Sequence, residues 1–272
     1  MGDLIDISIL GNYYIIILLY FFLVTSFLAI TVYAFRRKWA VINDARRLAV
    51  NISVMVFTTL YILVILEIVF CYIYTPSDSW NFTLSSKRWF QKYWKPVNSY
   101  GYRDYEPEWR DKVLFVVGDS FVAGHGVKDI DERFSNALSQ KMEEDWTVTI
   151  LAKCAWNIQD YIEILRKQNR RPDVIIISYV FNDIKNHPSV QKTMAKKHTI
   201  RLPGGVAKVM VNNSYFLNWA YWKIRKQGHV EKYTTFLKRS YDNDRIWSDH
   251  TSNLDTIINY AGETGAKLKF VV

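Results

Sequence analysis

A serine and an asparagine follow two apolar runs of this chain, and both residue types can act on an ester. The first run, residues 113–117, leads directly into Gly118-Asp119-Ser120, and the second, residues 174–179, comes shortly before Asn182-Asp183. Short apolar runs bounded by glycine or polar turn residues are typical of buried strands. Ligands bind at the carboxyl edge of a parallel sheet, where such turns collect. A serine there can attack an acyl carbonyl while nearby N–H donors hold the oxyanion.

These turns resemble the first and third sequence blocks of the SGNH (GDSL-type) hydrolase superfamily. The third block matches at Asn182-Asp183, although Val180 stands where many members have glycine. The resemblance extends from about residue 98 to the C-terminus and implies a flavodoxin-like three-layer α/β/α domain with a parallel sheet. The first block matches at Gly118, Asp119, Ser120, Gly124 and Gly126.

The resemblance also implies a role for individual residues. Ser120 is the expected nucleophile, and its own N–H, the N–H of Ala155 and the Asn182 side chain are the expected oxyanion hole. Ala155 stands where the second block of the family usually has glycine, so only a backbone donor carries over. Asp119 and Asp183 are predicted to fix their turns by accepting backbone hydrogen bonds rather than to take part in the chemistry.

The catalytic base of the family has no counterpart in this sequence. Family members carry Asp-x-x-His near the C-terminus, and no such motif occurs in the 272 residues. Residues 267–272 are typical of a buried strand, whose backbone groups need partners. We therefore expect a truncated chain that has its base beyond residue 272 and is inactive as an enzyme by itself. The alternative is a protein that has lost its base, and His125 and His187 are weaker candidates for a base within the chain.

The implied function is that of a serine esterase or O-acyltransferase acting on an acylated glycan or lipid outside the cytoplasm. Related anchored members work beside a membrane-bound O-acyltransferase, which is therefore an expected partner. The alternative is a non-catalytic binding or assembly subunit of a membrane polysaccharide-modification system. No metal or other cofactor is expected, because no Cys/His cluster has metal spacing and the glycine-rich segment fits neither nucleotide-binding motif. The nucleophile elbow of α/β-hydrolases, Gly-x-Ser-x-Gly, would require glycine at position 122, where this chain has valine. The α/β-hydrolase fold is therefore disfavoured.

Two apolar stretches at the N-terminus predict a two-helix transmembrane anchor over residues 1–75. Residues 13–35 hold no charge over 23 residues, and residues 48–74 hold one, Glu67. Residues 36–47 carry five basic residues and one acid, so the positive-inside rule predicts that this loop is cytoplasmic. The rest of the chain is then extracytoplasmic, or periplasmic in a Gram-negative cell. Glu67 is costly in a bilayer, and is either a functional or partner-contact residue or one that extends to the interface.

Residues 76–110 are predicted to form an interfacial linker. Basic and aromatic residues alternate over residues 86–95, which favours a helix lying among lipid headgroups. The same alternation and the net charge of +9 also suit single-stranded nucleic acid. The position directly after a membrane span favours the lipid interpretation, so no nucleic-acid partner is expected.

Residues 111–272 are predicted to alternate strands and helices. The predicted helices cover residues 134–143, 158–169 and 254–263, and this alternation indicates a parallel sheet with helices on both faces. A long insertion at residues 185–249 is predicted to be a helical cap over the serine or a membrane-facing or partner-facing patch. The predicted strands cover residues 113–117, 147–151, 174–179 and 267–272.

Overall fold

The computed structural model describes residues 7–38, 44–78, 83–186 and 204–272, which form an α/β domain preceded by two long helices. All strands of its four-stranded sheet are parallel, in the order β2-β1-β3-β4. The prediction of a parallel sheet is confirmed, and each strand differs from its predicted bounds by one residue at most at either end. The strands are β1 (Lys112–Gly118), β2 (Trp146–Ala152), β3 (Val174–Ser178) and β4 (Lys267–Val271).

Helices precede, connect and cover these strands. Short 3₁₀ turns lie at Ile130–Glu132 and Asp183–Asn186. The helix predicted at 134–143 ends at Ser139, because the chain there tightens into turns that lead directly into β2. The helices are α1 (Ile7–Lys38), α2 (Asp44–Ile68, continued by a π-helical turn at Val69–Ile73), α3 (Leu84–Tyr93), α4 (Phe134–Ser139), α5 (Ile158–Arg166), α6 (Gly205–Asn213), α7 (Tyr215–Tyr241) and α8 (Asp244–Thr264).

The two faces of β1 are buried in two separate clusters, as alternating side chains in a central strand require. Phe115 and its odd-numbered neighbours pack against α5 and α8. Val116 and Leu114 pack on the opposite face, against Val122 and Ala123 of the loop after β1 and the partly buried Leu138 of α4. Helices therefore cover both faces of the sheet, and the core lies on either side of β1.

The N-terminal helices support the predicted anchor in part. By length and composition, the helical stretch Val50–Ile73 is the one in the described part of the chain that could cross a membrane. The apolar helical stretch Leu18–Ala34 of α1 is shorter. The two helices pack together, with the rings of Phe22 and Tyr61 4.9 Å apart. One membrane-spanning helix is thus supported where two were predicted.

Glu67 is buried and makes hydrogen bonds within the chain. Its side chain lies in α2 but is buried, with 7% of its surface exposed. The carboxylate accepts hydrogen bonds from Ser214 Oγ at 2.7 Å and from the N–H groups of Tyr215 at 2.6 Å and Phe216 at 3.0 Å. Glu67 therefore caps the N-terminus of α7, where unpaired N–H groups favour a negative charge.

The segment predicted as an interfacial helix forms α3, but its central aromatic residue faces the protein. Trp89 is 1% exposed and packs against the ring of His125, at 5.6 Å between centroids. The Arg103 guanidinium lies over the rings of Trp89 and Trp94 at 5.7 and 5.3 Å. The prediction that this aromatic side lies among headgroups is wrong for Trp89, because the loop after β1 offers a protein surface that buries it.

The insertion is helical in its described part and reaches the carboxyl edge of the sheet. The Tyr241 hydroxyl, at the end of α7, lies 2.8 Å from the Tyr179 hydroxyl and donates to the Phe181 carbonyl at 3.1 Å. The Phe181 and Tyr241 rings stack with their centroids 5.3 Å apart. One helix thus extends from Glu67 in α2 to the turn that follows β3.

Candidate functional site

The three predicted site residues lie in loops that follow three neighbouring strands. Gly118 at the end of β1 pairs in register with Ala152 at the end of β2, and Val117 pairs with Ile177 of β3. The loops that carry Ser120, Ala155 and Asn182 therefore begin side by side. The connection that leaves β1 leads to β2 on one side, whereas β3 lies on the other side of β1, and such a switch point is where open α/β sheets bind ligands.

The turn after β1 is shaped by two of its own residues. A Cβ on Gly118 would overlap Val122 Cγ2, so the close approach of the chain to itself requires glycine. The buried Asp119 accepts the Phe121 N–H at its Oδ1, at 2.9 Å. The prediction that Asp119 fixes the turn is confirmed. Ser120 is left half-buried at the edge of the sheet, with its carbonyl accepting the His125 N–H at 2.8 Å.

Two buried arginines hold the rest of this loop. Arg103 donates to the carbonyls of Gly124 at 2.6 Å and Val127 at 2.8 Å. Arg133 donates in turn to the Arg103 carbonyl at 2.6 Å and to Asp104 Oδ1 at 2.9 Å. Gly124 has φ +72°, and a Cβ there would lie 2.7 Å from Arg133 Cδ. The loop is therefore built around the arginines, and a side chain at Gly124 has no room.

Burial is the main cause of the pKa shifts of Asp104 and Arg133, the ion pair that holds the serine loop. It raises the pKa of Asp104 and lowers the pKa of Arg133, although each opposes the shift of the other. Desolvation thus outweighs the attraction within the ion pair, which has side chains 10% and 1% exposed. Neither arginine was predicted as a site residue. The resemblance begins at about residue 98, but nothing near Arg133 in the sequence signals its contact with Arg103.

Ala155 has a backbone conformation that ordinarily selects glycine. Its φ is +69°, and it is the non-glycine residue with a positive φ in the described part of the chain. This left-handed conformation costs an L-residue about 1–2 kcal/mol. The next residues begin α5 with a capping box, in which Asn157 accepts the Gln159 N–H and Asp160 accepts the Asn157 N–H. The strained turn therefore directly precedes a well-anchored helix.

The N–H groups of Ser120 and Ala155 are available to a ligand. Neither donates a hydrogen bond to any residue that the structure describes, although both lie beside strands whose own amides are paired. Cys154 lies next to Ala155 and is a rival nucleophile. Burial raises the pKa of its thiol to about 11, and the charge of Asp119 adds to the shift. At neutral pH the Cys154 side chain is therefore a neutral thiol of low reactivity.

The turn after β3 presents Asn182 toward the serine turn. The buried Asp183 accepts the Val180 N–H and the Tyr161 hydroxyl, both at 2.9 Å, so the prediction that Asp183 fixes this turn is confirmed. Burial raises the pKa of Tyr161, which keeps its hydroxyl protonated as the donor. Asn182 Nδ2 lies 3.4 Å from Asp119 Oδ2. This contact joins the two turns that carry the predicted nucleophile and side-chain donor.

Residues of α7 and α8 lie around the turn that carries Asn182, and the sequence did not indicate them. The side chain of Tyr233 on α7 lies near Asn182. Burial raises the pKa of that tyrosine and has the larger effect, while the interaction with Asn182 lowers it. His250 on α8 is 1% exposed, and its Nε2 lies 2.8 Å from the Tyr179 hydroxyl. Burial lowers the pKa of His250, so its ring is neutral at neutral pH. These contacts join residues 50 or more apart in sequence, which no local pattern can reveal.

The histidines considered as a base have different surroundings. The His125 ring lies 4.9 Å from the Phe90 ring and also contacts Trp89, so α3 holds it. His187 lies outside the described residues, as does His198, and so does the side chain of His229. Among the residues that the structure describes, no group of three His, Cys, Asp or Glu side chains is placed to hold a metal ion.

No protein-family model matches this chain, and no curated protein is significantly similar to it.

Proposed function

We propose that this protein is a membrane-anchored serine esterase or O-acyltransferase of the SGNH type. The observation that carries the proposal is the pair of unengaged N–H groups at Ser120 and Ala155, beside a serine hydroxyl. Ser120 is half-buried and Ala155 is exposed, so both N–H groups can face a bound ligand, and unpaired donors aimed at one place can stabilise a developing oxyanion. Asn182, which contacts the serine turn, is the proposed third donor.

The arrangement of the sheet supports the same superfamily. The order β2-β1-β3-β4 agrees with the order of flavodoxin-like sheets, in which the chain also switches direction beside β1. The positive φ of Ala155 is also what a glycine position of the second block leads us to expect. Neither feature depends on the match at Gly118-Asp119-Ser120.

The proposed reaction begins when Ser120 Oγ attacks the carbonyl carbon of an acyl ester. The hydroxyl proton passes to a general base, the carbonyl oxygen becomes an oxyanion, and the three donors hold it. When the oxyanion collapses, the C–O bond of the ester breaks and the alkoxide leaves with a proton from the protonated base. Water or a sugar hydroxyl then takes the acyl group from Ser120, which makes the protein a hydrolase or a transferase respectively.

Covalent labelling tests the nucleophile. A fluorophosphonate should form an adduct that maps to Ser120 in the wild-type protein, and Ser120→Ala should abolish it. The control is Ser139→Ala, because Ser139 ends α4 beside the opposite edge of the sheet and should not affect labelling. An adduct that persists in Ser120→Ala would overturn the assignment.

A second candidate function is a non-catalytic binding or assembly subunit. It is favoured by one observation, the lack of Asp-x-x-His in the 272 residues. Folded full-length protein that gives no adduct and no acyl-ester turnover would support it. If turnover is present, assays with and without a sugar acceptor distinguish a transferase from a hydrolase, and a membrane-bound O-acyltransferase is the proposed acyl donor.

We further propose two membrane spans, with the 36–47 loop in the cytoplasm and the domain outside. The support is the basic loop and the apolar helix Val50–Ile73. Alkaline phosphatase fused after residue 272 should be active in a bacterial host, and the same enzyme fused within the loop should be inactive. The reverse pattern would contradict this topology.

A further inference from the structure

We propose that α6 and the first turn of α7 are embedded in the outer leaflet of the membrane, with the apolar side of α6 against lipid acyl chains. That apolar side consists of Val206, Val209 and Met210. The inference specifies a lipid contact for part of the insertion. It rests on the proposed membrane span of α2 and not on the proposed enzymatic activity.

The first step is the depth of Glu67. The stretch Val50–Ile73 has 24 residues, so it is about 36 Å long, longer than a hydrocarbon core of about 30 Å. Glu67 precedes the end of that stretch by about 9 Å of helix. With the span centred in the bilayer, Glu67 lies about 6 Å inside the hydrocarbon boundary. A carboxylate at that depth requires hydrogen-bond donors.

The second step is the source of those donors. Ser214, Tyr215 and Phe216 supply three hydrogen bonds of 2.6 to 3.0 Å to the Glu67 carboxylate. These residues form the junction between α6 and α7. The junction therefore lies at the same depth as Glu67, within the outer leaflet, although its own sequence is too polar to predict a membrane span.

Aromatic packing fixes this junction against the end of the span. The Phe70 ring lies 4.6 Å from Trp219 and 5.5 Å from Phe216. Tyr74 meets Trp219 edge to face at 6.2 Å. Tryptophan and tyrosine are the residues that favour the membrane–water interface. The start of α7 is therefore attached along the last turns of the span rather than at one point.

The third step is the exposed side of α6. Val206, Val209 and Met210 are 76%, 62% and 52% exposed, and their spacing places them on one side of the helix. Lys208 has a stem long enough to carry its charge toward the headgroups. Because α6 ends at the junction that Glu67 holds within the outer leaflet, acyl chains are the proposed contact of this apolar side.

Spin labelling of the full chain tests the depth of α6. We would label Val209→Cys and, separately, Met210→Cys with a nitroxide, after replacing Cys71 and Cys154 by alanine, and reconstitute each protein in phosphatidylcholine–phosphatidylglycerol vesicles. The control is Ile258→Cys on α8, which is 50% exposed and belongs to the sheet domain. Collision with oxygen and with a water-soluble nickel chelate is then measured for each label.

The expected result is a label on α6 that collides with oxygen several times more often than with nickel, and the reverse for Ile258→Cys. Equal access of nickel to Val209→Cys and Ile258→Cys would overturn the proposal. Access of nickel in vesicles, but protection from both reagents in native membranes, would also overturn it and would indicate a protein partner. The same labels in a Ser120→Ala background should give unchanged values, which separates this proposal from the enzymatic one.

Discussion

The serine side and the asparagine side of the candidate site are held in place by different means. The serine turn is fixed by Asp119 and by two buried arginines that lie within about 30 residues of it in the chain. The asparagine turn is fixed by Asp183, then by α7 of the insertion and by α8, which begins in the insertion and continues beyond it. The nucleophile can therefore keep its position without the insertion, whereas the side-chain donor depends on it.

The largest expected effect is on the serine side. Arg133→Ala should lower the free energy of unfolding by about 3–5 kcal/mol, because it leaves the Asp104 carboxylate buried without its partner. It also removes the hydrogen bond to the Arg103 carbonyl. Thermal unfolding in detergent, followed by circular dichroism, measures the loss of stability.

Arg110→Ala is the matched control for this substitution. Arg110 pairs with Glu108 at 2.8 Å, but the side chains are 50% and 82% exposed, and such surface pairs contribute little to stability. If both variants unfold at the same temperature, Arg133 contributes no more to stability than a surface arginine. The serine turn would then not be held by the buried arginines.

A smaller effect is expected on the asparagine side, and on catalysis rather than on folding. In the full-length protein, Asn182→Ala should lower kcat for acyl transfer about 10²–10³-fold, as the loss of one oxyanion donor does in serine hydrolases. Asn182 is half-buried, so the unfolding temperature should change little. Turnover of an activated acyl ester and the unfolding temperature are measured on the same preparation.

Asn253→Ala is the control, since Asn253 is a half-buried residue of α8 whose amide bonds only its own helix, at the Asp249 carbonyl. It should leave turnover unchanged. Wild-type kcat in Asn182→Ala would remove the asparagine from the oxyanion hole and leave only the two backbone donors.

The smallest expected effect is on stability and concerns Ala155, whose N–H is the second backbone donor. Ala155→Gly should raise the free energy of unfolding by about 0.5–1 kcal/mol, because glycine adopts a positive φ without the steric cost to alanine. Activity should be retained, since the N–H donor is unchanged. Ala137→Gly in the interior of α4 should have the opposite sign, because the backbone there is helical. Destabilisation by both substitutions would contradict the strain at Ala155.

The sequence predicts the sheet and the identity of the turn residues well, because both depend on local patterns. Apolar runs locate all four strands, and the roles of Asp119 and Asp183 follow from the habit of aspartate to accept nearby backbone N–H groups. The nucleophile and the oxyanion donors stay predictions until labelling and turnover are measured.

Long-range contacts explain what the sequence did not predict. Trp89 was expected among lipid headgroups because basic residues surround it, yet Arg103 and His125 form a surface that buries it. Glu67 finds its partners about 150 residues later, at the start of α7. Periodicity reports which side of a helix is apolar but not what covers it, so these burials require the tertiary structure.

The length of α7 sets an upper limit on the distance between the proposed site and the membrane. Tyr233, which contacts Asn182, follows Tyr215 by about 27 Å of helix. Even if α7 stood perpendicular to the bilayer, the asparagine turn would lie no farther than that from the level of Glu67. An acceptor must therefore approach to within roughly one bilayer thickness of the lipid surface. A lipid, or a glycan still attached to its membrane carrier, always stays within this distance of the lipid surface. A freely diffusing polymer comes within it only briefly.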